Sequence, residues 1–135
     1  MEICEKLRQE YLNEVTELIN ECKKNSRELR QEDSNDEAIL ENIKGNVYDI
    51  FYKMFNISYN NTCKNTEKQR ENIIKLSKTY LAYFDKIPSA WKEKMTKDKE
   101  HNMMEEYYIE VIKLETADKI KKLFTKYYDK FYLEA

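Results

Sequence analysis

One glycine and one proline in 135 residues leave this chain few places to turn. Reversals of direction draw on Gly, Pro, Asn and Asp, each for its own backbone reason, and a sheet-rich fold needs many of them. Scarcity of breakers favours a few long elements joined by short connections. The residues between the breakers repeat with the period of a helix. Ile3, Leu7, Tyr11, Val15, Leu18 and Cys22 step by three and four, with Leu12 and Ile19 widening the stripe. That is the spacing of one buried helix face, and it predicts a first helix over about 2–31 whose apolar stripe fades after Cys22.

The polar stretch 31–36 interrupts the pattern. Ser34 followed by Glu37 matches a capping box and predicts a second helix running to about Phe55. Its buried face is Leu40, Ile43, Val47, Ile50, Phe51, Met54 and Phe55; its opposite face is Glu41, Gly45, Asp49 and Lys53. A mid-helix glycine costs about 1 kcal/mol relative to alanine. Gly45 is therefore either a tolerated weak point or the site of a close approach by another backbone. Residues 56–65, rich in Asn, Ser and Thr, read as a loop.

Asn65 or Thr66 offers a cap for a third helix with Ile73, Leu76, Tyr80, Tyr83 and Phe84 at helical spacing. Pro88 is expected to end it, because the residue before a proline is pushed out of the α region. A short helix then follows over 89–101, carrying only Ala90, Trp91 and Met95 as apolar residues, with Asn102 as its end. The last segment, 103–133, has the stripe Ile109, Ile112, Ile120, Leu123, Phe124, Tyr127 and Phe131. Within it Tyr107–Leu114 is rich in Tyr, Ile and Val and has a strand alternative. Its apolar residues do not alternate and no second strand exists to pair with it, so helix is preferred. Thr116 as an N-cap predicts a kink near Glu115–Thr116. The expected fold is all-α: a single domain over 1–135, an antiparallel up-and-down bundle of four long helices plus one short helix.

Composition narrows the function classes. The net charge is −2, and charged residues are 37% of the chain, which suits solvated helix faces and speaks against a dedicated nucleic-acid binder. The charge is uneven: residues 1–41 hold 12 acids against 6 bases, and the remainder is net basic. No apolar run approaches the roughly 20 residues of a membrane helix, so no membrane partner is expected. The acidic start, Met1-Glu2-Ile3-Cys4-Glu5, carries no apolar signal region. With it, three cysteines (Cys4, Cys22 and Cys63) read as reduced thiols in a cytoplasm. Abundant Lys, Asn, Ile and Tyr point to a low-GC, bacterial source.

Motifs for chemistry are missing. A single glycine excludes the glycine-rich phosphate loops. The one histidine, His101, follows Asp98 by three residues, half of what a carboxylate–histidine metal motif needs. No cysteine spacing fits a zinc cluster, and a Cys–His catalytic pair would have to use His101. No metal, cofactor or catalytic residue is therefore assigned.

Two features remain. Glu10, Glu14, Glu17 and Glu21 line one face of the first helix, and Lys119, Lys122, Lys126 and Lys130 line a face of the last. Like charges at this spacing repel by about 0.2–0.5 kcal/mol per pair. The rows are either independent solvated faces or a match, within one chain or between two. The second feature is aromatic: 11 tyrosines, with Tyr107, Tyr108, Tyr128 and Tyr132 on the last helix, and Trp91 on a charged segment with few apolar neighbours. Such residues serve core margins, pockets and interfaces. The expected function is a small cytoplasmic, non-enzymatic protein-interaction or regulatory module, its partner a second copy (a homodimer) or another protein. The alternative is a small-molecule sensor with an aromatic pocket between helices.

Overall fold

The computed structural model describes residues 2–64 and 67–135. They form four helices packed against one another: α1 (Ile3–Gln31), α2 (Asn35–Thr62), α3 (Gln69–Glu100) and α4 (Met104–Glu134). No strand occurs among the described residues, and Tyr107–Leu114 is helix.

The turns explain how so little glycine suffices. Asp33 and Asn102 adopt left-handed backbone, at φ 62° and φ 56°. At the end of α1 the Ser34 N–H reaches the Leu29 carbonyl at 2.8 Å and the Asp33 N–H reaches Arg30. At the end of α3 the Met103 N–H reaches Asp98 at 2.8 Å and the Asn102 N–H reaches Lys99. Both are Schellman closures, which need one left-handed residue. Asp and Asn accept that conformation more readily than other side chains do. Ser34 does stand at the N-terminus of α2, but its side chain makes no capping hydrogen bond. The expected cap at Asn65 or Thr66 lies outside the described residues.

Three boundaries differ from the sequence-based expectation. α2 continues through the expected loop to Thr62. The Ser58 and Thr62 hydroxyls donate to the Met54 and Ser58 carbonyls four residues back, at 2.8 and 2.7 Å, so these polar residues spend their hydrogen bonds inside the helix. α3 runs straight through Pro88, so the short helix over 89–101 is the second half of α3 and not a separate element. A mid-helix proline costs about 3 kcal/mol. Packing on both sides offsets it: Phe84 stacks on Phe51 with centroids 4.1 Å apart, while Ile87 and Trp91 lean on the core. α4 is likewise unbroken at Thr116, whose buried hydroxyl donates to the Ile112 carbonyl at 2.7 Å and caps nothing.

The core is aromatic and lies toward one end. Tyr11, Phe55, Tyr80 and Phe124, one from each helix, are fully buried and meet ring to ring at 4.8–6.1 Å. The two buried hydroxyls form a chain: Tyr11 OH donates to Tyr80 OH at 2.6 Å, and Tyr80 OH donates to the Phe51 carbonyl at 3.0 Å. Burial raises both phenol pKa values. The continuous core ends at Cys22 on α1, Val47 on α2, Phe84 on α3 and Ala117 on α4. Gly45 lies beyond that boundary. A Cβ built on it would stand 3.4 Å from the Cys22 Cβ, so α1 approaches closely there.

Candidate functional site

The two charge rows meet only at the core end. Lys130 Nζ bonds Glu10 Oε1 at 2.8 Å, and Tyr127 OH donates to Glu14 Oε1 at 2.9 Å. Burial, together with the neighbouring Glu14 carboxylate, pushes the Tyr127 phenol up to about 12. Further along, Lys122 pairs with Asp118 of its own helix at 2.9 Å, and Lys126 lies over the Tyr127 ring. Glu17, Glu21 and Lys119 are exposed and make no ion pair among the described residues. The Lys130–Glu10 pair is itself about half exposed, and such pairs contribute roughly 0–1 kcal/mol. The rows thus dock α1 against α4 locally and do not form a continuous zipper.

The four tyrosines of α4 separate into two groups. Tyr128 and Tyr132 stack on each other near its C-terminus, with centroids 5.6 Å apart. Arg70 of α3 donates to Tyr132 OH at 2.6 Å and lies over its ring. They belong to the seam between α3 and α4. Tyr107 and Tyr108 are more than five turns away, about 30 Å along the helix. The sequence spacing already sets the two pairs at different ends of one helix but does not say what each pair packs against.

Around Tyr107 and Tyr108 the chain gathers its other unusual residues. Met103, Met104 and Tyr108 are exposed at 45%, 56% and 51%, an apolar cluster at the α3–α4 turn. Beside it, Met95, Thr96, Lys99, Glu100 and Tyr107 line an open groove of about 490 Å³. Glu105 and Glu106 in the first turn of α4, and Lys97 and Lys99 in the last turn of α3, surround the apolar residues with charge. An apolar centre with a charged rim is the usual anatomy of a protein contact surface.

Beneath this surface lie two buried carboxylates. Asp98 and Glu110 are 6% and 1% exposed. Lys94 Nζ bonds Asp98 Oδ2 at 2.8 Å and lies 3.7 Å from Glu110 Oε1, which Lys113 Nζ approaches at 3.3 Å. Glu110 Oε2 is buried and has no hydrogen-bond partner. Lys113 also faces the Trp91 ring, 5.8 Å from its centroid, and Trp91 is half-buried against the core margin. In the sequence alone Glu110 and Lys113 are ordinary charged residues of the last helix. The Lys94/Asp98 and Glu110/Lys113 spacings of four and three are legible there; the burial that makes them matter is not. His101 sits exposed in the turn, and no group of three or more His, Cys, Asp or Glu side chains poised for a metal occurs among the described residues.

No protein-family model matches the chain, no curated protein matches it in sequence, and no solved structure matches it in fold.

Proposed function

We propose that this chain is a non-enzymatic protein-interaction module that meets its partner through the α3–α4 turn. The observation that carries this reading is the exposed cluster Met103, Met104 and Tyr108 beside the Met95–Tyr107 groove. Methionine is flexible and polarizable, which suits an adaptable contact surface, and tyrosine adds area at low entropic cost. In this reading the helices alternate in direction, so that both hairpin turns share one end of the bundle. The order of contacts supports that: Glu10 pairs with Lys130 and Glu14 with Tyr127, while Phe51 meets Phe84 and Phe55 meets Tyr80. A cytoplasmic setting and self-association belong to the same proposal. No helix is long and apolar enough to cross a membrane among the described residues.

A photo-crosslinking amino acid at position 108 tests the contact in cells. Discrete crosslinked products are expected there and not with the same probe at exposed Lys78. Equal labelling at the two positions would remove the assignment. The sensor alternative rests on a groove of about 340 Å³ between α1 and α2, lined by Arg8, Tyr52 and Tyr59 among others. It takes second place because Tyr11 and Tyr80, the two fully buried tyrosines, are packed against Phe55 and Phe124.

A further inference from the structure

Among the described residues six large apolar side chains are left exposed, and three of them stand alone: Ile39 and Ile57 on α2 and Leu133 near the end of α4. Single exposed apolar residues are ordinary on a protein surface. The other three, Met103, Met104 and Tyr108, fall within six consecutive residues. Shape there is paired. Tyr108 stands out as a knob, half of it in solvent. Beside it lies the groove of about 490 Å³, lined by half-buried Met95 and Tyr107 and exposed Thr96, Lys99 and Glu100. Charge is paired as well. The last turn of α3 is basic, with Lys97 and Lys99, and the first turn of α4 is acidic, with Glu105 and Glu106. The macrodipole favours each sign where it stands, yet none of the four makes an ion pair among the described residues. The turn that carries them is firmly closed, with left-handed Asn102 and the Met103 N–H on the Asp98 carbonyl at 2.8 Å.

We propose that the partner at this surface is a second copy of the chain: two α3–α4 turns dock about a two-fold axis, each Tyr108 entering the other copy's groove. The inference rests on the reading of the α3–α4 turn as a contact surface and adds its occupant. A two-fold interface uses the same patch on both copies, so the patch must complement itself. A knob beside a groove does so in shape. The charges follow the knob. Glu105 precedes Tyr108 by three residues on α4, so the two share a helix face, and Lys99 lines the groove. Seating Tyr108 therefore brings Glu105 of one copy toward Lys99 of the other, twice over. A rim of one sign would select an oppositely charged stranger; this rim carries both signs, one on each arm of the hairpin. With a net charge of −2, two copies repel each other little. The closed turn needs little ordering on contact, which favours association. The tip of a helical hairpin is a small surface, so the dimer is transient and depends on concentration.

Sedimentation equilibrium of the purified chain tests the dimer. The mass is expected to rise with concentration from 16.5 kDa toward twice that value. Tyr108→Ser removes the knob, and Thr96→Trp fills the groove from an exposed position; each is expected to weaken association by about tenfold or more. Lys99→Glu and Glu105→Lys each weaken it alone, and an equimolar mixture of the two variants recovers it, which misfolded chains would not do. A wild-type mass that stays at one chain at every concentration overturns the proposal. So does a dimer that tolerates both Tyr108→Ser and Thr96→Trp, or charge variants that fail to recover on mixing. Crosslinking from position 108 in cells separates this proposal from the reading beneath it. Products of twice the chain mass support the dimer. Products with a different protein alone remove the dimer and leave the contact surface standing, and equal labelling at positions 108 and 78 removes both.

Discussion

The aromatic centre of this bundle and its turn regions are built on different principles. Around Tyr11, Phe55, Tyr80 and Phe124, all four helices contribute rings to one core. Among the described residues, the hydrogen bonds and ion pairs between the α1–α2 and α3–α4 hairpins lie there, on residues such as Glu10, Tyr11, Phe51, Tyr80, Tyr127 and Lys130. Near the α1–α2 and α3–α4 turns, no hydrogen bond or ion pair joins residues 23–46 to residues 92–116 among the described residues. The residues buried there are Ser26 and Ala38 on α1 and α2, and Asp98, Glu110 and Ile112 on α3 and α4. The lesson concerns division of labour. Apolar burial across four helices supplies the stability, which leaves the α3–α4 turn free to expose methionines and bury charge.

Four substitutions sharpen this contrast, beyond the crosslinking and sedimentation experiments. The largest effect belongs to the aromatic centre. Phe124→Ala removes a fully buried ring that touches partners on three other helices and is expected to cost about 3–5 kcal/mol in urea unfolding. Met104→Ala, at the exposed turn, stays within about 0.5 kcal/mol of wild type. Similar losses at the two positions would abolish the distinction between the two regions.

Next comes Glu110→Met. Deleting one partner of a buried ion pair is normally harmful, because a buried charge is left alone. Here the remaining lysines have other partners: Lys94 keeps Asp98 and Lys113 keeps the Trp91 ring. The desolvated carboxylate with its orphan oxygen is removed. The stability to unfolding should hold or rise, by up to about 3 kcal/mol in the manner of buried pairs replaced by apolar side chains. A clear loss would mean that the carboxylate holds the α3–α4 turn end together. The smallest effect is Gly45→Ala. The new methyl would meet the Cys22 Cβ at an ordinary contact distance, and helix propensity favours alanine, so a gain of about 0.5–1 kcal/mol is expected. A loss would show that α1 and α2 need the glycine to approach.

Much of this fold is legible in the residue pattern. The stripe on α1 predicts Leu7, Tyr11, Val15 and Cys22 as buried, and they are. The helical reading of Tyr107–Leu114 holds as well. The departures share a cause. Asn-, Ser- and Thr-rich composition after Phe55, Pro88, and Thr116 are all local stop signals, and at each the helix continues. Local signals are worth roughly one to three kcal/mol, which packing of Phe84, Ile87 and Trp91, or an in-helix hydroxyl bond, can outweigh.

The scarcity of glycine and proline, together with the three-and-four spacing of apolar residues, determined that this chain would be a few long helices with named apolar faces. That follows because periodicity and turn chemistry act over a few residues and can be read along the chain. Only the tertiary structure decided which residues far apart in sequence share a site: Glu10 with Lys130, Glu110 with Lys94, Tyr11 with Tyr80. It also decided that Tyr132 meets Arg70 of α3 while Tyr107 lines a groove with Met95. Those pairings depend on how helix faces are rotated and set against one another, and on burial, which a carboxylate such as Glu110 acquires from its neighbours and not from its own residue type.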